Sequence, residues 1–322
     1  MIQASNYANE LAPKLDTIIF DMDGVLLDIS QSIRRVNSLA VSFYLREIVG
    51  IPAPDDLLSS DDIERFKHAG GFNDDWDLTY ALVLYYLVKH HENPETDAVT
   101  LSVTGLTLGR YAFKIGEKGG GVTVAEDYLL GNFMPRDRAT VERDYSKPKI
   151  RQVFQELLGG DLCQRIYGIE PKYYTGRGLI YEDKVLLDKA LIPDGFKLGM
   201  QTGRTYTEAE VGIEFCGLQE TLPEETWITK RDGYHKPDPG GLRTLARRLG
   251  TETAGIYIGD TLDDLRTVRA LNAKSKVAPF LIALVLTGPA GSANRKLFEK
   301  NGADIIGDNV NEVLAWINEA RQ

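Results

Sequence analysis

The chain has 322 residues, 43% of them hydrophobic and 26% charged, with 37 Lys and Arg against 47 Asp and Glu for a net charge of −10. This is the composition of an ordinary globular protein, long enough for two hydrophobic cores. The acidic balance argues against general binding to nucleic acid or to anionic membrane, so an anionic ligand would need a locally positive pocket.

Residues Met1–Pro13 have neither a basic start nor an apolar stretch, so they do not read as a signal peptide. Leu15–Phe20 is an apolar run that reads as a short buried strand. Asp21-Met22-Asp23-Gly24-Val25 follows it. Side chains of a strand alternate, so Asp21 and Asp23 project to one side while Met22 faces away. Two adjacent carboxylates at the end of a hydrophobic strand are costly unless a cation neutralises them. Gly24 lets the backbone turn and come close to whatever binds there.

Ser30 is read as the N-cap of a helix carrying Ile33, Val36, Ala40, Phe43 and Tyr44, which Gly50-Ile51-Pro52 ends. Asp61-Asp62-Ile63-Glu64 resembles a capping box, and Gly70-Gly71 closes its short helix. Asn73, Asp75 and Trp76 beyond that pair offer polar and stacking groups, and Asn73 is taken as a candidate substrate contact. Trp76–His91 is apolar on most sides and predicts a buried helix. Residues 100–133, with Gly119-Gly120-Gly121 among Thr and Val, predict a loose hairpin or mobile flap. Ile150, Val153, Phe154, Leu157 and Leu158 make an amphipathic helix after Pro148. Arg34 and Arg35 read as a solvated helix face, and His90 and His91 as partners of a helix C-terminus.

From Gly178 onward strands alternate with helices. Strands are read at Lys197–Gln201, Thr226–Thr229, Gly255–Gly259, Phe280–Leu286 and Asp304–Ile306. Thr205-Tyr206-Thr207-Glu208 is a capping box, and helices follow Asp238-Pro239 and Thr261. Phe280–Leu286 is an apolar run too short to span a bilayer. This alternation predicts an α/β, Rossmann-like parallel-sheet core with helices on both faces, plus a large inserted, mainly helical cap. Residues 1–29 and 178–322 form the core and 30–177 the insertion. Ligands of such sheets bind beyond the carboxyl ends of the strands. Four polar groups stand there: Asp21 with Asp23; Thr202 with Gly203 and Arg204; Lys236; and Asp260 with Asp263 and Asp264. Cys163 and Cys216 read as small buried residues, and a reducing cytoplasm is the expected compartment.

In this order the four motifs resemble those of the haloacid dehalogenase-like hydrolases: Asp-x-Asp-Gly-Val, strand-Thr-Gly, Lys-Pro-x-Pro and Gly-Asp-x-x-x-Asp. An insertion directly after the first motif looks like the family's C1 cap, although its Gly-rich middle departs from the usual helical form. The resemblance implies phosphoryl transfer with Mg²⁺ as cofactor. Asp21 would be the nucleophile, forming an aspartyl-phosphate, and Asp23 the general acid and base. Thr202 and the Gly203 N–H would bind phosphoryl oxygens, Gly24 would line the site, and Lys236 would neutralise charge. Asp21, Asp260 and the carbonyl of Asp23 would hold the metal, with Asp264, or Asp263 beside it, completing the acidic shell directly or through water. Arg204 would meet an anionic part of the substrate. An acid at Asp23 suits an alcohol leaving group and sets aside carbon–halogen cleavage.

The partner so implied is a small phosphorylated metabolite of the phosphoglycolate or sugar-phosphate class, the enzyme being a phosphatase. Two alternatives stay open: a phosphomutase of the β-phosphoglucomutase kind, and a catalytically inactive binding or regulatory protein on the same fold.

Overall fold

A computed structural model describes residues 2–72, 75–131, 133–274, 277–288 and 291–320. The chain divides into two compact units, residues 1–29 with 183–322 and residues 30–182. Among the described residues no helix is long and apolar enough to cross a membrane.

The first unit is built on strands β1 (Gln3–Ala4), β2 (Leu15–Phe20), β3 (Leu27–Asp28), β4 (Lys184–Val185), β5 (Lys197–Gln201), β6 (Trp227–Ile228), β7 (Ala254–Gly259), β8 (Phe280–Val285) and β9 (Ile305–Gly307). Seven form one sheet in the order β1-β9-β8-β7-β2-β5-β6, parallel throughout except for the short antiparallel edge strand β1. The pleat sorts alternate side chains to opposite faces. Ile18, Phe20, Ile256, Ile258 and Ala283 pack with Ile213, Val313, Leu314 and Ile317 from helices Tyr206–Cys216 and Val310–Glu319. Ile19, Tyr257, Ile282 and Leu284 pack with Leu242, Leu245, Val268 and Leu271 from helices Gly240–Leu249 and Leu262–Lys274. Both faces are thus covered, which is why the central strands read as continuous apolar runs. Full burial of each such side chain contributes about 1.5–3 kcal/mol.

Register sets the position of the functional residues. Phe20 lies opposite Met200 on β5 and Ile258 on β7. Asp21, Thr202 and Asp260 follow within one or two residues, so all three emerge at one end of adjacent strands. Beyond Asp21, the turn bonds Leu26 and Leu27 N–H to the Met22 carbonyl, with Gly24 at φ +75°. The chain then runs into β3, which pairs antiparallel with β4. Both crossings between the units therefore leave from one two-stranded ribbon.

The second unit is helical. Helix Asp75–Glu92 is its axis, with Leu78–Lys89 buried without a break. Tyr85 stacks on Tyr111 at 5.4 Å, and Phe66 meets Tyr111 edge-on at 5.5 Å. Buried Glu156 accepts the N–H groups of Lys172, Tyr173 and Tyr174 at 2.6–2.8 Å, which satisfies three donors of the returning chain at once. Residues 178–182 pack with this unit, because Gly178 lies against the backbone of Gly159 and Leu158 and the turn Leu179–Glu182 sits beside helix Lys147–Gly159. The division consequently falls at 182/183 rather than the expected 177/178.

Four local expectations are corrected. The described residues of 100–133 form no hairpin: they lie in helices Ala98–Val103, Leu108–Gly116 and Val122–Leu130 and their connections. Leu108, Tyr111, Ala112 and Ile115 are buried at helical spacing, and Asp97 and Thr107 cap two of the helices. Gly119, Gly120 and Gly121, all at positive φ, form the turn between the second and third. Gly120 and Gly121 pack on Gly70 and Gly71, where a Cβ on Gly120 would lie 2.0 Å from the Gly70 carbonyl oxygen. The glycines serve close backbone approach in a helical unit. The first helix of this unit opens at Ile33 after Ser32, not at Ser30. The capping box proposed at Asp61–Glu64 is Ser59 with Asp62, two residues earlier. The strand at Thr226–Thr229 shrinks to Trp227–Ile228, because a tight turn, Glu224–Thr226, precedes it.

Candidate active site

Asp21 ends β2, and its N–H bonds the Ile258 carbonyl at 2.8 Å. Its Oδ1 accepts the Met22 N–H at 2.7 Å, while Oδ2 lies 2.7 Å from Lys236 Nζ. The same ammonium lies 2.7 Å from Asp264 Oδ1. The other Asp264 oxygen accepts the N–H groups of Asp260 and Thr261 at 3.2 and 3.0 Å and the Thr261 hydroxyl at 2.7 Å. Asp264 thus holds the turn that presents Asp260 and steadies Lys236. Asp263, the other acid of that turn, is half-exposed and pairs with Arg266 at 2.8 Å, outside the cluster.

Asp21, Asp260 and Asp264 are buried, and each can offer an oxygen within 4.8 Å of the others. Burial pushes the Asp21 carboxyl up from 3.8 to about 7, against the pull of Lys236 and with added repulsion from Asp264 and Asp23. Asp260 is raised well above the carboxylate range by burial, then by Asp21 and Asp264. Asp264 goes the other way: burial opposes its ionisation, but Lys236 and Thr261 outweigh it and lower its pKa. Burial alone would lower Lys236, and the two carboxylates beside it instead hold it well above its ordinary value.

The residues present fit a divalent cation. With all three carboxyls ionised, three carboxylates against one ammonium would leave two negative charges in a buried site, the balance a hard dication satisfies through oxygen ligands. The space around Asp260 is kept open by glycine. A Cβ on Gly24 would lie 2.3 Å from Asp260 Oδ2, and one on Gly288 would lie 2.2 Å from the same atom. Thr287 Oγ1 donates to the Gly24 carbonyl at 2.5 Å, tying the loop after β8 to the turn after β2. Thr287 and Gly288 were not singled out from the sequence. An apolar strand followed by Thr-Gly, as at Gln201-Thr202-Gly203, was the available signal.

The remaining expected residues stand around this cluster. Thr202 is buried, with its N–H on the Ile228 carbonyl at 2.9 Å and its hydroxyl oxygen accepting the Arg204 N–H at 3.2 Å. Gly203 is exposed, with nothing within 4 Å of where a Cβ would stand. Arg204 is buried, its Nε and Nη2 each 2.8 Å from Asp23 Oδ1 and its Nη2 also 2.8 Å from Asp183 Oδ2. It therefore binds two carboxylates of the protein and is not presented as the open substrate contact expected of it. Asn73 lies outside the described residues. Tyr257, whose hydroxyl donates to the Gln201 carbonyl at 3.3 Å, places its ring 5.5 Å from Lys236 Nζ.

A family model described as haloacid dehalogenase-like hydrolase matches residues 15–272. Over 299 residues the chain is 24% identical to an imidazoleglycerol-phosphate dehydratase from Phytophthora nicotianae, a match covering 92% of this chain and 51% of that one. The chain thus spans about half the length of this curated relative. Among solved structures, a structural-genomics target superposes with a TM-score of 0.68 at 18% identity, over 95% of this chain and 99% of that one. Phosphatase Tt82 from Thermococcus thioreducens superposes with a TM-score of 0.59 at 24% identity, over 82% of this chain and 91% of that one. These likenesses are likenesses of fold.

Proposed function

The chain belongs to the haloacid dehalogenase-like hydrolases, and from that premise we propose that it is a Mg²⁺-dependent phosphatase of small phosphate monoesters, working through an aspartyl-phosphate. The observation that carries this reading is the convergence of Asp21, Asp260 and Asp264 on one another around Lys236. A carboxylate nucleophile needs no base, but it must approach an anionic phosphoryl group, and unrelieved repulsion would forbid that. Asp21, Asp260 and the Asp23 carbonyl would hold Mg²⁺, which when bound offsets the charge of nucleophile and phosphoryl group.

The chain's own groups account for the remainder. The Met22 N–H and Lys236 orient the Asp21 carboxylate from two sides. One of its oxygens attacks phosphorus, and the bond to the leaving oxygen breaks. Asp23 gives that oxygen its proton, releasing an alcohol. Asp23 then takes a proton from a water that attacks the phosphoryl group, and the Asp21–phosphorus bond breaks to release inorganic phosphate. Lys236 faces the charge that develops on the transferring group, and the Thr202 hydroxyl and Gly203 N–H bind its oxygens. The inserted unit would act as a C1-type cap and select among leaving groups. The dehydratase relative is named for a phosphate ester, which agrees with the substrate class, but its dehydration chemistry is not carried over. Both cysteines are free and buried, as suits a reducing cytoplasm.

The test is a panel of phosphate monoesters, including phosphoglycolate and hexose phosphates, with Mg²⁺ and an Asp21→Asn control. Inorganic phosphate release that needs both Mg²⁺ and Asp21 supports the phosphatase reading. Isomer formation without net phosphate release would replace it with a phosphomutase. Turnover by Asp21→Asn equal to that of the unaltered chain would refute the mechanism.

A further inference from the structure

Asp183 has no place in the mechanism above, and its sequence context, Tyr181-Glu182-Asp183-Lys184, reads as a solvated charged stretch. In the structure its side chain is completely buried and paired with Arg204, whose side chain is 2% exposed. Two buried charges are stable only when well paired and hydrogen-bonded. Here the hydrogen bonding extends outward to a third group, the Asp23 carboxyl. The guanidinium is a planar fork, so a carboxylate held against one edge restricts where the other edge can point. Asp183 Oδ2 holds Nη2, and the Nε/Nη2 edge meets Asp23 Oδ1 with two contacts of 2.8 Å. The backbone of Arg204 is fixed as well: its N–H bonds Thr202 Oγ1 at 3.2 Å, and its carbonyl accepts the Lys230 N–H at 2.9 Å. Asp23 in turn sits in the turn that leads to β3, and Asp183 immediately precedes β4, the partner of β3. The two acids at either end of the Arg204 bridge are thus also joined through backbone pairing.

We infer that Asp183 is a positioning residue for leaving-group departure, acting through Arg204 to fix where the Asp23 carboxyl stands. The inference rests on the phosphatase reading and extends it. A group that protonates the leaving oxygen matters for a poor leaving group, such as an alkoxide, and little for a good one, such as p-nitrophenolate. A buried pair that served stability alone would affect both esters equally. This difference gives the discriminating readout.

The experiment compares kcat/KM for β-glycerol phosphate and p-nitrophenyl phosphate with saturating Mg²⁺, in the unaltered chain and in Asp183→Asn and Arg204→Lys. This parameter reports steps up to leaving-group departure. The ratio of the two values for one sample does not depend on how much of that sample is folded. We expect both variants to lower kcat/KM for the alkyl ester on the order of 10–100-fold, part of the 10²–10⁴ that general acid catalysis supplies. The aryl ester should change by less than about threefold. In an Asp23→Asn background, Asp183→Asn should leave the alkyl-to-aryl ratio where Asp23→Asn alone puts it. An unchanged ratio in both single variants, or a further fall in the double variant, overturns the inference. Asp21→Asn separates the two levels. If it still hydrolyses both esters, the aspartyl-phosphate mechanism on which the inference rests fails; if it is inactive while the ratios are unmoved, only the role of Asp183 fails.

Discussion

Asp21→Asn should make the metal-free protein more stable while abolishing turnover. The Asp21 carboxyl is raised from 3.8 to about 7 in the fold. Between those values the unfolded chain has lost its proton and the folded chain retains it. Stability therefore falls as pH rises through this window and levels off above it. At 1.36 kcal/mol per unit, a shift of about three units makes the folded state about 4 kcal/mol less stable at pH 8 than it would be with a neutral group there. Asparagine is such a group and keeps the shape. The assay is urea unfolding in EDTA at pH 5 and pH 8, followed through Trp227 and Trp316 of the sheet unit, with Trp76 changed to Phe in both proteins. Asp21→Asn should be more stable by up to about 4 kcal/mol at pH 8 and by roughly 1–2 kcal/mol at pH 5. Millimolar Mg²⁺ should stabilise the unaltered protein more and narrow the gap. A variant no more stable than its parent at pH 8, or a gap independent of pH, would show that Asp21 does not bear the burden that the buried cluster assigns to it.

Four further substitutions have expected outcomes. Gly288→Ala puts a methyl 2.2 Å from Asp260 Oδ2, so the Mg²⁺ concentration for half-maximal activity should rise tenfold or more; an unchanged titration midpoint would contradict the glycine cradle. Asp263→Asn, altering only a half-exposed pair with Arg266, should shift stability by less than about 0.5 kcal/mol and leave Mg²⁺ dependence intact. Asp264→Asn, which loosens both Lys236 and the Asp260 turn, should lower activity by at least about 10²-fold, and parallel behaviour of the two variants would reverse their assignment. Gly120→Ala, at φ +79° with its Cβ directed into the Gly70 carbonyl, should destabilise the helical unit by more than about 1 kcal/mol, read as earlier loss of amide protection in Leu108–Leu130; unaltered protection would refute the packing described.

The parts legible in the sequence were those where local chemistry and periodicity agree. Asp21-Met22-Asp23-Gly24 could be read because strand alternation places two acids together, and the register of Phe20 with Met200 and Ile258 brings in Thr202 and Asp260 as the motif order implied. Asp264 and Asp263 could not be ranked from spacing, since both fall in the first turn of one helix. Tertiary contact decides between them, with Lys236 on one and Arg266 on the other. Residues 100–133 were misread because glycine punctuation outweighed a real helical stripe in short helices. The contact that explains those glycines comes from Gly70 and Gly71, some 50 residues earlier. Arg204 was expected to face an anionic part of the substrate and instead pairs with Asp23 and Asp183, the second of which carries no local signal. Burial of a charge at zero exposure is a property of the fold that no window of sequence displays.

The short β3–β4 ribbon has an evolutionary consequence. Since residues 30–182 both leave and re-enter through its two adjoining strands, that whole segment could be lengthened, shortened or traded for another without breaking a single bond of the seven-stranded sheet. Under the proposed function, such an exchange would alter which leaving groups are accepted while Asp21, Asp23, Lys236 and Asp260 stayed in place. Asp183, the first residue after the graft point, would then be the place where a newcomer must still match its host.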